Sequence, residues 1–313
     1  MAAAAGCTSD LSGSDGEYPS DTVDVVVPFG TGGGTDTAVR AIYPALEDEL
    51  GTNIVVDNRS GAGGRVGFEH MAQQSADGYT IGAIALSTGV LGSTLYNPDF
   101  DMQELTPIAG ISTDRYGLIA RPGEYDDFWD WLDDAQQNGT TISSVGAGSN
   151  VDIGIRATFE EWNIDDYEIV PYDGGGESTT AVASGDVDVT FNYPPSYFSQ
   201  ANSGDIETLW WGDTEPFPGT DHQDQDDVPN MNDIEYDFPQ EILSLEVSMF
   251  APAGLDDEVR ETLEEAVIDA REDDEFQEMV EGSHGIISDQ AGDELAETVD
   301  TLTEELSQYD DAV

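Results

Sequence analysis

The sequence contains no lysine, and its eight basic residues, all arginines, are set against 67 acidic residues. A formal net charge of −59 repels nucleic acid and anionic lipid headgroups, so neither is an expected partner of this surface. The acids are spread through periodic, foldable segments, which indicates adaptation to molar salt, where charges are screened beyond about 3 Å. We therefore expect an extreme halophile as the source, and partial unfolding in dilute buffer.

The chain also lacks paired cysteines and long apolar runs. Cys7 is the one cysteine, which excludes an internal disulfide, and no apolar run reaches the roughly 18 residues of a membrane span. Small residues precede Cys7 and a polar stretch follows it, which favours a lipoprotein processing site with a tether over residues 1–20. The alternative is a surface cysteine in a loose N-terminus. Lipidation of Cys7 would anchor the protein to the outer face of the cytoplasmic membrane.

The absence of lysine also bears on the glycine-rich turn "PFGTGGGTD", which follows an apolar strand and precedes a helix. A P-loop requires lysine after glycine. The dinucleotide pattern G-x-G-x-x-G fails in all three glycine-rich turns, at Thr35, Val66 and Val151. What remains is a turn whose bare backbone N–H groups and helix start favour an anion such as a carboxylate. The alternative is a tight strand-to-helix turn with Asp36 as a plain helix cap.

Catalytic and metal-binding patterns are missing as well. The sequence has no G-x-S-x-G elbow, and its three histidines are not spaced as zinc ligands on a helix. We therefore predict no enzyme activity, no metal and no cofactor. The acidic run "DHQDQDD" is interpreted as a solvated loop. Asn58 and Asn138 begin glycosylation sequons, which carry meaning only in an exported protein.

Apolar strands alternate with amphipathic helices along the chain. Strands are predicted at Val23–Phe29, Asn53–Asn58 and Asp77–Leu86, with a helix over Thr35–Leu50 and another ending near Gln74. A second series of similar size follows from residue 115. This alternation predicts an α/β protein with mostly parallel sheets in two lobes, the late strand near Leu243–Phe250 returning to the first.

The segment from Val23 to Gly82, beginning "VDVVVPFGTGGGTDTAVRAIYPAL", resembles the substrate-binding receptors of tripartite tricarboxylate transporters, the TctC or Bug family. Later blocks agree in order and spacing, among them "TPIAGIS", "TISSVGAGSNVD", "VPYDGGGESTTAVASGDVDVTF" and "FAPAGLDDEVRETLEEAV". The resemblance covers nearly all of residues 21 to 310. It implies a type II periplasmic-binding-protein fold, in which two Rossmann-like lobes joined by two crossover strands close on a small ligand. The implied domains are a tether at 1–20, lobe 1 at 21–114 plus 244–313, and lobe 2 at 115–243.

The resemblance also implies a ligand-binding set held on loops of both lobes. By block it comprises Phe29, Gly32, Gly33, Gly34, Thr35, Asp36, Ser87, Thr88, Ser149, Asn150, Asp152, Tyr172, Gly175 and Asn192. The sequence departs from the family's pattern at Asp152, Asp173 and Asn192, where His, Lys and Asp are common. Arg115 lies at the expected crossover, where it either faces a ligand carboxylate or pairs with one of the many acids.

The resemblance implies a monomeric, non-enzymatic receptor that captures a small carboxylate, such as a di- or tricarboxylate, by hinge closure. The receptor would deliver it to the permease subunits of the transporter. The alternatives are a receptor that presents its ligand to a membrane sensor, which neighbouring permease genes would argue against, and an enzyme on the same fold.

Overall fold

The computed structural model describes residues 18–95, 100–234 and 243–306. Cys7 and residues 1–17 of the predicted tether lie outside the described residues. The strands are β1 (Val23–Val27), β2 (Ile54–Asn58), β3 (Thr80–Ala85), β4 (Thr106–Asp114), β5 (Gly117–Ala120), β6 (Thr140–Ser144), β7 (Tyr167–Pro171), β8 (Val189–Asn192), β9 (Glu207–Trp211), β10 (Leu245–Ala251) and β11 (Ile286–Ile287). The helices are α1 (Gly34–Leu50), α2 (Arg65–Ala72), α3 (Leu86–Leu95), α4 (Phe128–Asn138), α5 (Asn150–Glu161), α6 (Gly175–Ser184), α7 (Pro194–Ser203), α8 (Asp257–Ala270), α9 (Asp274–Gly282) and α10 (Gly292–Leu306).

The strands form two sheets. The first has the order β11-β4-β10-β3-β1-β2 and the second the order β7-β6-β8-β5-β9. We call the first sheet with α1–α3 and α8–α10 lobe 1, and the second sheet with α4–α7 lobe 2. The chain passes between them through Arg115 and Tyr116, which separate β4 from β5, and returns between β9 and β10. The mixed α/β architecture expected from the sequence is confirmed.

The expectation of mostly parallel sheets is wrong. Among the described residues, four strand pairings are parallel and five are antiparallel. The antiparallel pairings all involve β4, β5 or β10, the strands that adjoin the passages between the sheets. The strand-helix-strand units alone are parallel, because a crossover helix returns the chain to the same end of the sheet.

Two helices begin where the sequence predicted other structure. Helix α3 follows β3 directly, so Ser87 and Thr88 lie in its first turn and not in a loop. The segment "DVDVTFNYPPS", predicted as one strand, ends its strand at Asn192 and starts α7 at Pro194. Proline is favoured at the first helical positions, because the N–H group that it lacks has no intrahelical acceptor there.

Burial follows the apolar pattern of the sequence. Helix α1 buries Ala38, Val39, Ile42, Leu46 and Leu50, which lie on one face of the helix. Lobe 2 is filled by a cluster of aromatic rings from α4, α5, β8 and β9, with Trp162 contacting both Phe128 and Trp210 at centroid distances of 5.2 Å. These two cores hold the facing ends of the strands and helices in place.

Candidate functional site

A small cavity lies between the two lobes. Its walls come from the carboxyl ends of strands and the starts of helices, the usual position of ligand sites in α/β proteins. The lining residues are Phe29, Gly33, Gly34, Thr35, Ala85, Thr88, Val145, Asn150, Gly175, Asn192, Tyr193 and Leu245.

Five helices begin at this cavity. Helix α1 contributes Gly34 and Thr35, α3 contributes Thr88, α5 contributes Asn150 and α6 contributes Gly175, while Tyr193 is the N-cap residue of α7. The first turn of a helix has N–H groups without intrahelical acceptors and carries a partial positive charge. Two helix starts from lobe 1 and three from lobe 2 therefore create a field that favours an anion.

The side chains that line the cavity carry no charge. The lining includes neither arginine nor histidine, aspartate nor glutamate. Tyr193 is the one titratable lining residue, and burial raises the pKa of its phenol, so its hydroxyl stays neutral. An anion held here would be bound by backbone N–H groups and by hydroxyl groups such as that of Thr35.

The glycine turn before α1 exposes its backbone at the cavity. Gly33 is the N-cap residue and has no side chain to satisfy the first N–H groups of the helix. A Cβ on Gly34 would lie 2.3 Å from the Leu245 side chain of β10, so this position accommodates only glycine without movement of Leu245. Gly32, at φ +79°, donates its N–H to Asp36 at 2.8 Å and does not line the cavity.

The carboxylate of Asp36 is engaged by groups of the protein itself and does not face the cavity. Its buried carboxylate also accepts a hydrogen bond from Asn58 Nδ2 and pairs with Arg40, each at 2.9 Å. This carboxylate holds the glycine turn against β2 and α1, which positions the N–H groups of Gly34 and Thr35. Its role in this geometry is therefore indirect.

The polar side chains of lobe 2 are also committed to hydrogen bonds. Asn192 Nδ2 donates to Gly175 O and to Thr179 Oγ1, each at 2.8 Å, and its Oδ1 accepts from Tyr193 N–H. Ser149 caps α5 by accepting from the N–H group of Asp152, which pairs with Arg156. These residues fix the starts of α5 and α6.

The cavity thus contains eight of the fourteen residues in the predicted ligand-binding set. Outside its lining lie Gly32, Asp36, Ser87, Ser149, Asp152 and Tyr172. Tyr172 lies instead in an outer groove beside Thr31 and Gly176, where the rims of the two lobes meet. Arg115 donates from Nε to Asp213 at 2.8 Å and from Nη1 to Ser244 at 3.2 Å, which agrees with the ion-pair interpretation of this residue.

The sequence prediction missed four lining residues: Ala85, Val145, Tyr193 and Leu245. Ala85 ends β3 and Val145 follows β6, so the rule that ligands bind at the carboxyl ends of parallel strands could have found both. Tyr193 precedes two prolines, a pattern typical of a helix start. No local signal marks Leu245, which reaches the cavity from the returning strand β10.

Two further features concern metal ligands and membrane spans. Among residues 18–95, 100–234 and 243–306, no three histidine, cysteine, aspartate or glutamate residues are grouped as ligands for a metal ion. The helices of these ranges include none with the length and apolar character required to span a bilayer.

Comparisons with known proteins agree with this architecture. Residues 38–286 match the family described as tripartite tricarboxylate transporter family receptor, TctC. Protein BugT of Bordetella pertussis is 26% identical over 254 residues, covering 77% of this chain and 74% of BugT.

The fold is shared with solved structures. The periplasmic binding protein BugD has a TM-score of 0.85 at 22% identity, covering 93% of this chain and 97% of BugD. MatC from Rhodopseudomonas palustris, solved with bound malate, has a TM-score of 0.84 at 22% identity, covering 94% of this chain and all of MatC. The match to the family covers more than half of the sequence, and the chain therefore belongs to the tripartite tricarboxylate transporter family of receptors.

Proposed function

We propose that this protein is an extracytoplasmic solute-binding receptor that holds a small carboxylate between its lobes and delivers it to a tripartite tricarboxylate-type permease. The observation that carries the proposal is the meeting of five helix starts, from both lobes, at one cavity whose lining side chains carry no charge. Such a site holds an anion through local dipoles. Its contacts act at short range, where the screened surface charge has little influence.

The ligand class has support from relatives of the same fold. MatC was solved with malate, and a second R. palustris protein with adipate has a TM-score of 0.83 at 20% identity. Both ligands are dicarboxylates of modest size. We propose that malate, adipate and citrate are the first acids to test on this chain.

Hinge motion accompanies binding in this proposal. The lobe boundaries that we propose are residues 21–114 plus 244–313 and residues 115–243, and they fall at the two passages between the sheets. Arg115, held by Asp213 and Ser244, lies at the first passage, and Ser244 lies beside the second. The ion pair would stay within the hinge and leave the ligand to the helix starts.

We further propose that the receptor is a non-enzymatic monomer from an extreme halophile, anchored through lipidated Cys7. The small residues before Cys7 and the polar segment after it support the anchor, and the charge of −59 supports the halophilic source. Mass spectrometry of the membrane-extracted protein would detect a diacylglyceryl group on Cys7, and an unmodified Cys7 would contradict the anchor.

The first prediction tests the glycine turn. Gly33→Val should weaken carboxylate binding by about 100-fold or more, because a Cβ on Gly33 would lie 3.3 Å from the N–H nitrogen of Gly175, another lining residue, and overpacking costs about 1–3 kcal/mol even before the ligand contacts are lost. Calorimetry in 3 M KCl with malate, adipate and citrate measures the effect. Gly282→Val is the matched control, because a Cβ on Gly282 meets no atom within 4 Å.

The two variants separate the possible outcomes. Equal affinity in Gly33→Val and wild type would mean that the glycine turn is only a turn. Mass spectrometry of the small molecules that copurify with the wild-type protein extends the test beyond the three acids. Neutral or cationic ligands alone would contradict the proposed carboxylate class.

A further inference from the structure

The floor of the cavity contains a hydrogen bond between the two lobes. Thr88 of α3, in lobe 1, donates from Oγ1 to Asn150 Oδ1 of α5, in lobe 2, at 2.8 Å. Both side chains are buried, with exposed fractions of 1% and 3%. Asn150 in turn donates from Nδ2 to the Tyr193 hydroxyl at 2.9 Å, which fixes the orientation of its amide. Thr88 therefore meets an acceptor that lobe 2 already holds in place.

A second contact joins the lobes at the rim of the cavity. Gly30 of lobe 1 donates its N–H to the carbonyl oxygen of Asp173 of lobe 2 at 2.9 Å. A Cβ built on the next residue, Gly174, would lie 3.1 Å from Gly30 N and 3.3 Å from Gly30 Cα. Gly174 has an extended backbone with φ 176°, which any residue can adopt. The neighbouring lobe, and not the backbone conformation, is thus what crowds a side chain at this position.

The same close approach occurs at a second place along the rim. A Cβ on Gly146 of lobe 2 would lie 2.8 Å from Gly63 N of lobe 1, and one on Gly63 would lie 2.7 Å from the carbonyl oxygen of Ala147. Backbone therefore meets backbone at two places between the lobes. Such contacts exist only while the lobes are together, because these loops belong to different lobes.

We propose that Thr88–Asn150 and Gly30–Asp173 form an interlobe latch that stabilises the closed receptor by direct contact between the lobes. Thr88 and Asn150 are then positioning residues, which act on closure and not on the chemical identity of the ligand. This inference rests on the proposed function only in that a ligand must enter between the lobes. Because apparent affinity scales with the fraction of competent protein, loss of the latch should weaken unlike ligands by the same factor.

The latch can be measured without any ligand. Exposed positions on the two lobes, Glu49 of α1 and Glu160 of α5, would be labelled as Glu49→Cys and Glu160→Cys in a Cys7→Ser background. Single-molecule energy transfer in 3 M KCl then reports the ratio of closed to open molecules. We expect the wild-type sequence to show a closed population at the interlobe distance of this structure.

Four substitutions in this labelled protein test the two contacts. Thr88→Val removes the hydrogen bond to Asn150 Oδ1 and a longer one, at 3.4 Å, that Thr88 Oγ1 accepts from the Asn150 N–H. It should lower the closed-to-open ratio by about five- to tenfold, whereas Thr88→Ser, which keeps the hydroxyl, should stay within about twofold of the wild type. Gly174→Ala should lower the ratio independently by inserting a methyl group at the rim. Gly282→Ala, whose Cβ meets no atom within 4 Å, should leave it unchanged.

A further readout separates a latch from a direct ligand contact. Calorimetry on Thr88→Val should show the same fold loss for malate, adipate and any other acid that binds, and unequal losses would assign Thr88 to ligand contact instead. A wild-type protein without a closed population, or Thr88→Val and Gly174→Ala with wild-type ratios, would overturn the latch. Melting curves establish that each variant is folded, and Gly174→Ala tests the rim even if Thr88→Val fails to fold. Since the energy-transfer measurement contains no acid, failure of the latch and failure of carboxylate binding are distinguishable.

Discussion

Buried carboxylates in this protein differ in their effect on stability. Asp36 is 1% exposed and satisfies the Gly32 N–H, Asn58 and Arg40. Asp114 ends β4 at the passage between the lobes, and its buried Oδ1 has no hydrogen-bond partner among the described residues. The first should stabilise the fold and the second should cost stability.

Replacement of Asp36 should destabilise the fold. Asp36→Ala removes the buried acceptor that the Gly32 N–H, Asn58 Nδ2 and Arg40 share, so the free energy of unfolding should fall by about 1–3 kcal/mol. Arg40→Ala is the matched control and should cost less than about 1 kcal/mol, because Arg40 is 43% exposed and exposed ion pairs contribute little. Urea unfolding in 3 M KCl measures both. Equal costs for the two variants would contradict the structural role of Asp36.

Asp114 should make stability depend on pH. Burial raises the pKa of its carboxyl group to about 7, although Arg115 opposes the shift. The folded state then binds a proton that the unfolded state has already lost, so stability falls as pH rises from about 4 to 7 and stays reduced above pH 7. Asp114→Asn removes this penalty. The variant should therefore gain stability relative to the wild type on the order of 4 kcal/mol at pH 8, and little at pH 4.

Unfolding of wild type and Asp114→Asn at both pH values measures this difference. Many other acids titrate over the same range, so the difference between the two proteins is the informative quantity. Asp133→Asn, on the exposed side of α4, is the matched surface control for the same change of side chain. A gain in stability for Asp114→Asn that is equal at pH 4 and pH 8 would contradict the raised pKa of Asp114.

The sequence predicts well those strands and helices whose formation depends on short-range signals. The alternation from β1 to β3 follows from apolar strands, a glycine turn and one amphipathic helix face, all of which are short-range signals. Helix α3 was missed because "LSTGVLGSTL" contains two glycines and several β-branched residues, which disfavour helices in isolation. Burial against the two lobes decides its structure instead.

Contacts between distant elements could not be predicted from local pattern. Strand β10 pairs with both β3 and β4 across more than a hundred residues, and this pairing brings Leu245 to the cavity. In the same way, Asn150 and Asn192 were placed at the site by family resemblance, but their hydrogen bonds to Tyr193 and Gly175 depend on the packing of helix starts. Their role in positioning those helix starts is visible only in three dimensions.

The whole molecule carries its charge on the surface. Of the described aspartates and glutamates, Asp36, Asp114 and Asp152 are the fully buried ones, so nearly all the others repel one another through solvent. Self-repulsion of this kind destabilises the compact state at low ionic strength and is screened in molar salt. The fold should therefore depend on salt concentration more than on any single contact.

Thermal melting measures this dependence. We expect the melting temperature to rise on the order of 10 °C or more between 0.1 M and 3 M KCl, since a gain of several kcal/mol moves a protein of this size by that amount. Sucrose at matched osmolality is the control, because it favours compact states without screening charge. Equal melting temperatures in the two KCl solutions would contradict the halophilic interpretation.

The neutral lining of the cavity separates two selective pressures. Mutations that add or remove acids on the outside leave every atom that lines the cavity unchanged, and substitutions in the lining leave the solvation of the surface unchanged. Under the proposed halophilic origin, acids could therefore have accumulated on the surface without altering which ligand the cavity recognises. For the same reason, replacement of surface acids by lysine would leave the cavity lining unchanged. A variant of this kind, designed to fold at low salt, would carry the same binding site into a biosensor.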